Sequence, residues 1–302
     1  MCQPKIKVVA VIVGYHPNKS VLINLINSIS KQVDKVVLID NGGCENIVTP
    51  DDQLVNNIEY IKFKFNRGLG AALNKGFQFA LEFGAEFVVM FDQDSDPDPH
   101  HVCRLLATHE VLAEKGLECA AVGPTFYDLR EDGKKYFPFY QSEKKDINTI
   151  DPISIEEKYI CVDTLITSGM MVKMKIWNNG YPFNEWLFVD QTDNEWCFRV
   201  RKSGYLLYAC LNLEMGHALS DAVPIRMMGF SFFRYTAIRR YYYYRATTYM
   251  IFSSCVPNQW KRRLAIGLII RFPVNIIVDR QKLKSCGMML KGVWDGWRGR
   301  NE

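Results

Sequence analysis

Short, mostly apolar runs alternate along the first third of the chain with stretches in which apolar residues return every three or four positions. Val8 to Val13, Val36 to Ile39, Ile58 to Phe63 and Phe87 to Phe91 are rich in β-branched residues, as expected of strands buried on both faces of a parallel sheet. Between them, Ser20 can cap a segment in which Val21, Leu22, Leu25, Ile26 and Ile29 recur at helical spacing, and Ala71 to Phe83 reads as a second helix. Strands alternating with helices predict a doubly wound α/β sheet whose ligands bind at the carboxyl ends of the strands. Tyr15, Asp40, Asn66 and Asp92 all fall at such ends.

Further along, Asp98-Pro99 can start a helix running to about Lys115, which puts His100, His101 and His109 on a solvated helix face. Ala120 to Pro124 resembles a short strand. The segment from Tyr127 to Glu157 is polar and weakly periodic, and is expected to be a mobile insertion or surface hairpin. Order returns with Val162 to Met174, interrupted at Ser168-Gly169, and a further strand is expected at Leu206 to Leu211. With 302 residues, 48% of them apolar, the chain can bury a large core in one or two domains.

The chemistry concentrates where apolar strands meet carboxylates. Phe87 to Phe91 runs into Asp92-Gln93-Asp94, and alternate residues of an extended strand end point the same way, so Asp92 and Asp94 can converge on one divalent cation. Mg²⁺ or Mn²⁺ prefers such hard oxygen donors and leaves positions open for phosphates. The competing reading is a polar strand end followed by a turn.

Asn66-Arg67-Gly68-Leu69-Gly70 joins a strand to a helix, where small residues allow close backbone approach and a helix N-terminus favours an anion. Neither the Walker sequence nor the dinucleotide glycine pattern is present. In Phe188 to Arg199 three carboxylates lie within six positions. If Asp193 starts a helix it can face a cleft and accept a proton, while Glu195 and Arg199, four apart, form a supporting pair. Asp190 is the rival base. His217 follows the expected strand, where it could reach a metal or diphosphate.

Together these pieces resemble the family 2 inverting glycosyltransferases of the GT-A fold, particularly bacterial rhamnosyltransferases that use dTDP-L-rhamnose. The likeness runs from about Val8 to Ser220. It is carried by Ile39-Asp40-Asn41-Gly42, Asn66-Arg67-Gly68 with Ala71 and Asn74, Phe91-Asp92-Gln93-Asp94, and Phe188-Val189-Asp190 through Asp193-Asn194-Glu195-Trp196 to Arg199. The resemblance implies a GT-A catalytic domain over 1–225, with a nucleotide-sugar half over about 1–125 and an acceptor half over about 158–225. It implies that Tyr15 and Asp40 hold the nucleobase, and that Asn66, Gly68, Asn74 and Gln93 lie near the nucleoside or diphosphate. Asp92, Asp94 and His217 would bind Mg²⁺ or Mn²⁺, with Asp193 as general base.

The remaining residues, 226–302, are expected to form a helical, basic and aromatic extension. Phe232, Phe233, Tyr235 and Tyr241 to Tyr244 lie among Arg234, Arg239, Arg240 and Arg245, a composition suited to a membrane interface as well as to ordinary core helices. The apolar run after Trp260-Lys261-Arg262-Arg263 is expected to break at Pro273 and is too short to span a bilayer. Nine scattered cysteines read as reduced thiols. These features, with the lipid-linked saccharide acceptor and dTDP-sugar donor of the resembled family, point to a cytoplasmic protein on the inner face of the membrane in O-antigen or another surface polysaccharide pathway. They do not point to a nucleic-acid binder. A metal-dependent nucleotidyltransferase would use the same carboxylates but release pyrophosphate, and a non-catalytic sugar-binding protein would not need Asp92, Asp94 and Asp193 together.

Overall fold

The computed structural model describes residues 6–45, 47, 57–128, 134–217, 225–227, 230–232, 235–279 and 281–299. Its first half is laid down by β1 (Val8–Gly14), α1 (Lys19–Ile29), β2 (Lys35–Asp40), β3 (Ile58–Lys62), α2 (Leu69–Phe83) and β4 (Phe87–Asp92). The apolar runs pair in parallel in the order β3-β2-β1-β4, so the β1, β2 and β4 carboxyl ends share one edge, with Gly14 opposite Asp40 and Val13 opposite Asp92. Burial of β1 and β4 on both faces explains why their sequences do not alternate.

Next come α3 (His101–Glu114), β5 (Cys119–Asp128), β6 (Lys135–Tyr136), β7 (Phe139–Ser142), β8 (Ile147–Ile150), β9 (Tyr159–Cys161) and β10 (Met171–Lys173). The short β10 runs antiparallel between β4 and β5, which makes the sheet mixed. The chain continues with α4 (Met174–Asn178), a 3-10 turn at Glu185–Leu187, α5 (Thr192–Lys202) and β11 (Leu206–His217). The full order is β3-β2-β1-β4-β10-β5-β11-β9, with β6 beside β5.

Of the two alternatives for the polar insertion, the hairpin is present, formed by β7 with β8, and its Phe139 is buried. Two other expectations change. β5 and β11 are about twice their expected lengths. A bulge between Cys210 and Glu214 shifts the register of β11, which breaks the residue alternation and conceals the strand's second half. His217 is therefore the last residue of the strand rather than a residue beyond it.

The histidine expectation is corrected as well. Only His100 is exposed. His101 and His109 are 0% and 1% exposed, and their Nε2 atoms lie 3.0 and 3.3 Å from the carbonyls of Gly169 and Met171. They tie α3 to the strand-end segment that interrupts the sheet, a job for which a polar side chain on the inner helix face is needed.

The hairpin of β12 (Ile225–Met227) and β13 (Phe230–Phe232) leads to α6 (Ala237–Phe252), α7 (Asn258–Val278) and α8 (Lys282–Arg298). Side chains of Phe230, Phe232, Phe233 and Arg234 lie outside the described residues. Contrary to expectation, α7 continues through Pro273 to Val278. A proline there removes the hydrogen bond to the carbonyl of Ile269, a residue 72% exposed whose carbonyl water can satisfy. Among the described residues no helix is long and apolar enough to cross a membrane.

These helices dock on the sheet domain through buried polar joints. Asp163, fully buried, takes hydrogen bonds from Trp260 Nε1 at 2.6 Å and Ser142 Oγ at 2.5 Å and pairs with Arg201 Nη1 at 2.5 Å. Trp260 also packs on Phe198 of α5, at 5.4 Å between ring centres. The eight cysteines among the described residues are all free thiols.

Candidate active site

The carboxyl ends of β1 and β2, the start of α2 and the first turn of α6 enclose a cavity of about 590 Å³. Its walls include Tyr15, Asn66, Gly68, Phe188, Arg239 and Tyr242. The loop before α2 is built by side chains that bond backbone. Asn66 Oδ1 accepts from the Gly68 amide at 2.8 Å, and Asn41 accepts from the Arg67 amide at 2.8 Å while donating to the Gly68 carbonyl at 3.2 Å. Gly68 has φ of +85°, and a Cβ there would lie 2.4 Å from the Phe188 carbonyl oxygen. That oxygen accepts the Leu69 amide of α2 at 2.5 Å, so glycine is required both for conformation and for contact.

Phe188 itself has φ of +71° and Gln191 φ of +64°. Unfavourable backbone of this kind, about 1–3 kcal/mol per residue, persists only where surrounding contacts impose it. Here the Phe188 ring stacks on Tyr242 of α6, with centres 4.3 Å apart at 12°. The two strained residues flank Asp190 and deliver α5 with Asp193 in its first turn.

Asp92, at the end of β4, is partly accessible but crowded by protein. Desolvation first, then the charges of Asp94 and Asp193, push its carboxyl up to about 7. Burial also raises Asp193, opposed by backbone N–H groups of Asn194, Asp193 and Thr167. Asn194 donates to its Oδ1 at 2.7 Å. A buried carboxylate at a strand end with two further carboxylates acting on it is an arrangement that a divalent cation relieves, and the donors are the hard oxygens that Mg²⁺ or Mn²⁺ prefers.

Among the described residues no three His, Cys, Asp or Glu side chains form a ready cluster. The His217 side chain lies outside the described residues, but its backbone neighbour Gly216 bridges Asp96, which sets the end of β11 beside the loop that follows Asp94.

Asp190 is held differently. Burial pushes its carboxyl up to about 6, with Arg239 opposing and Asp193 adding to the shift, and Arg239 donates to its Oδ1 at 3.0 Å. Glu195 makes the expected i,i+4 pair, with Arg199 at 2.8 and 3.1 Å.

Two residues expected at the nucleotide are engaged within the protein. Asp40 is 0% exposed and its oxygens are taken by Tyr60 Oη at 2.6 Å and the amides of Gly42 at 2.8 Å and Cys44 at 3.2 Å. Burial alone would raise its pKa, but these bonds outweigh it and leave the carboxyl lowered. Asp40 therefore organises the turn behind the cavity and does not face it. Asn74 turns the other way, accepting from Trp177 Nε1 and the Phe183 amide and donating to the Phe183 carbonyl at 2.9 Å. It fixes the acceptor-side segment onto α2. Gln93 accepts the Tyr15 amide at 2.6 Å, which positions Tyr15, itself half exposed in the cavity wall.

Arg239 and Tyr242 were not legible as site residues: their one sequence signal was the aromatic and basic run after residue 230, and nothing in it specifies that one helix face lines the cavity. Phe188 stood at the head of the carboxylate-bearing segment, but its place in the cavity wall was not legible there.

An α/β sheet with a mixed centre, an Asp-x-Asp strand end and a carboxylate-bearing helix opposite it define a glycosyltransferase of the GT-A fold. Residues 10–163 match the model of Glycosyl transferase family 2, and the chain belongs to that family. It is 27% identical over 292 residues to dTDP-rhamnosyl transferase RfbF of Shigella flexneri, covering 96% of this chain and 95% of that protein. Two solved structures share the fold. TarS 1-349 of S. aureus in complex with UDP-GlcNAc has a TM-score of 0.57 at 13% identity, over 96% of this chain and 80% of that one. GalNAc-T7 with UDP, GalNAc and Mn2+ has a TM-score of 0.55 at 12% identity, over 74% of this chain and only 44% of that one.

Proposed function

We propose that this chain is an inverting transferase that moves L-rhamnose from dTDP-L-rhamnose onto a lipid-linked saccharide during synthesis of O-antigen or another bacterial surface polysaccharide. The observation that carries the chemistry is Asp92 at the end of β4, whose carboxyl is pushed up by burial and by the charges of Asp94 and Asp193. The choice of donor is supported by the near full-length likeness to the Shigella flexneri dTDP-rhamnosyl transferase.

In this reading Tyr15 packs against the nucleobase, and Asn66 and Gly68 shape the wall beside the nucleoside and diphosphate. Asp92 and Asp94, with His217, hold Mg²⁺ or Mn²⁺. Such an ion would neutralise charge developing on the dTDP leaving group. Asp193 accepts the proton of the acceptor hydroxyl as its oxygen attacks the anomeric carbon, and the bond to the diphosphate breaks on the opposite face. One displacement inverts that centre. Asp193 suits the role because no cation among the described residues pairs with it, whereas Asp190 is tied to Arg239.

Peripheral membrane binding is part of the same proposal. It is supported by the exposed Ile266, Ile269 and Ile277 of α7 and by Leu283, Leu290 and Trp294 of α8, set in a basic segment.

The test offers the purified protein dTDP-L-rhamnose, UDP-sugars and GDP-sugars with Mg²⁺, Mn²⁺ or chelator, and measures the nucleotide released. Chelator-sensitive release of dTDP from the rhamnose donor is expected. Release of pyrophosphate would favour nucleotidyl transfer, and silence with every donor and with lipid-linked acceptors would favour a sugar-binding protein. Asp193→Asn is expected to lower kcat by roughly 10²- to 10⁴-fold with donor affinity retained.

A further inference from the structure

A second cavity, about 520 Å³, lies on the other side of the first turn of α6 from the cleft. It is walled by Tyr235, Thr236, Ile238, Arg240, Gln281 and Lys284, and Thr236 and Ile238 line both cavities. Its deepest polar group is Arg240. The residue is 2% exposed, its Nε lies 3.1 Å from Asp279 Oδ2, and its Nη1 has no hydrogen-bond partner. A guanidinium so thoroughly removed from water normally has its donors satisfied.

Asp279 does not fill the need. It also accepts the Gln281 amide at 2.9 Å and the Ser285 hydroxyl at the start of α8. Lys284 stands exposed at the rim, and the N-terminus of the 17-residue α8 adds a positive dipole end. Among the described residues that line the cavity, Asp279 is the one carboxylate, beside Arg240, Lys284 and the start of α8.

The surroundings identify what carries the missing anion. Ile238 in the wall is 50% exposed, and Ile277 and Leu283, next in sequence to the wall residues Val278 and Lys284, are 64% and 91% exposed. From residue 235 to residue 299 the sequence contains only two carboxylates, Asp279 and Asp295, each already in an ion pair, against many Lys and Arg. Aliphatic side chains around a cationic pocket, on a strongly basic surface, match an anionic bilayer. We propose that this pocket binds the phosphate of an anionic phospholipid headgroup, with Arg240 and Lys284 as its donors. This rests on the reading that α7 and α8 meet a membrane. Because the cavities share the wall at Thr236 and Ile238, a seated headgroup would set the distance between bilayer and cleft.

The test is co-sedimentation of the full chain with vesicles of phosphatidylcholine alone or mixed with phosphatidylglycerol, with and without inorganic phosphate at matched ionic strength. The wild type is expected to bind only the mixed vesicles, with phosphate competing. Lys284→Glu and Arg240→Gln are expected to weaken binding by about tenfold, against a small effect of Lys291→Gln at the far end of α8. Thermal melts establish which variants fold, and Lys284→Glu alone decides the matter if Arg240→Gln does not. Mixed-vesicle binding that survives Lys284→Glu, or that Lys291→Gln weakens equally, would overturn the pocket while leaving the membrane reading intact. Binding to no vesicle would overturn both, and a phosphate-induced rise in Tm without vesicle binding would reassign the site to a soluble phosphate.

Discussion

Arg239 of α6 donates to Asp190 of the acceptor-side loop at 3.0 Å, while the second oxygen of Asp190 is buried without a partner. The pair favours Asp193 over Asp190 as the proposed base, because a carboxylate committed to a guanidinium is less available to a sugar hydroxyl. Asp190→Asn is therefore expected to retain more turnover than Asp193→Asn, by at least about tenfold if Asp193 is the base. Arg239→Met should leave Asp190 buried and alone and raise its apparent pKa above about 6, while the acid limb of the kcat/KM profile, set by Asp193, stays in place. A steady-state pH series on the three variants checks both statements.

Gly68→Ala should abolish activity more thoroughly than its size suggests. The new methyl would meet the Phe188 carbonyl at 2.4 Å from a backbone with φ of +85°. The expected cost is about 2 kcal/mol or more, together with loss of the contact that seats the loop before Asp193. Chemical denaturation and donor affinity, measured side by side, separate the stability loss from the loss of the site.

Acid should destabilise the fold through His101 and His109. Burial holds them down to about 4 and about 3, whereas unfolded histidine titrates near 6.5. Between those values the unfolded chain binds more protons. Stability is thus present above about pH 6.5 and is lost progressively as pH falls toward 4. The drop in Tm from pH 7 to pH 5 should be visibly smaller in a His109→Gln variant, and an unchanged slope would remove His109 from this account.

Asp163→Ala should loosen the C-terminal helices from the sheet. It strips partners from Trp260, Ser142 and Arg201 in a joint where Asp163 is fully buried. Breaking a buried pair of this kind costs about 3 kcal/mol or more. Tm and protease sensitivity between α6 and α8 provide the readout.

The sheet was legible because its parallel strands are buried on both faces and therefore read as plain apolar runs. Asp92, Asp94 and Asp193 were legible because chemistry placed them at the ends of periodic elements. What escaped was orientation. Asp40 and Asn74 carry the right groups at the right positions, yet neighbours far along the chain, Tyr60 for one and Phe183 for the other, claim their hydrogen bonds. The buried face of α3 was missed since two histidines there look polar until their carbonyl partners on the strand-end segment are known. Arg239 and Arg240 sit side by side in the sequence, but a helix turns about 100° per residue, and only the packing of α6 reveals that they serve different cavities.

The bond from the Leu69 amide to the Phe188 carbonyl links the first turn of α2 to the loop ahead of α5. The donor-facing and acceptor-facing parts of the cleft are in that sense one casting, with no hinge between them at this point.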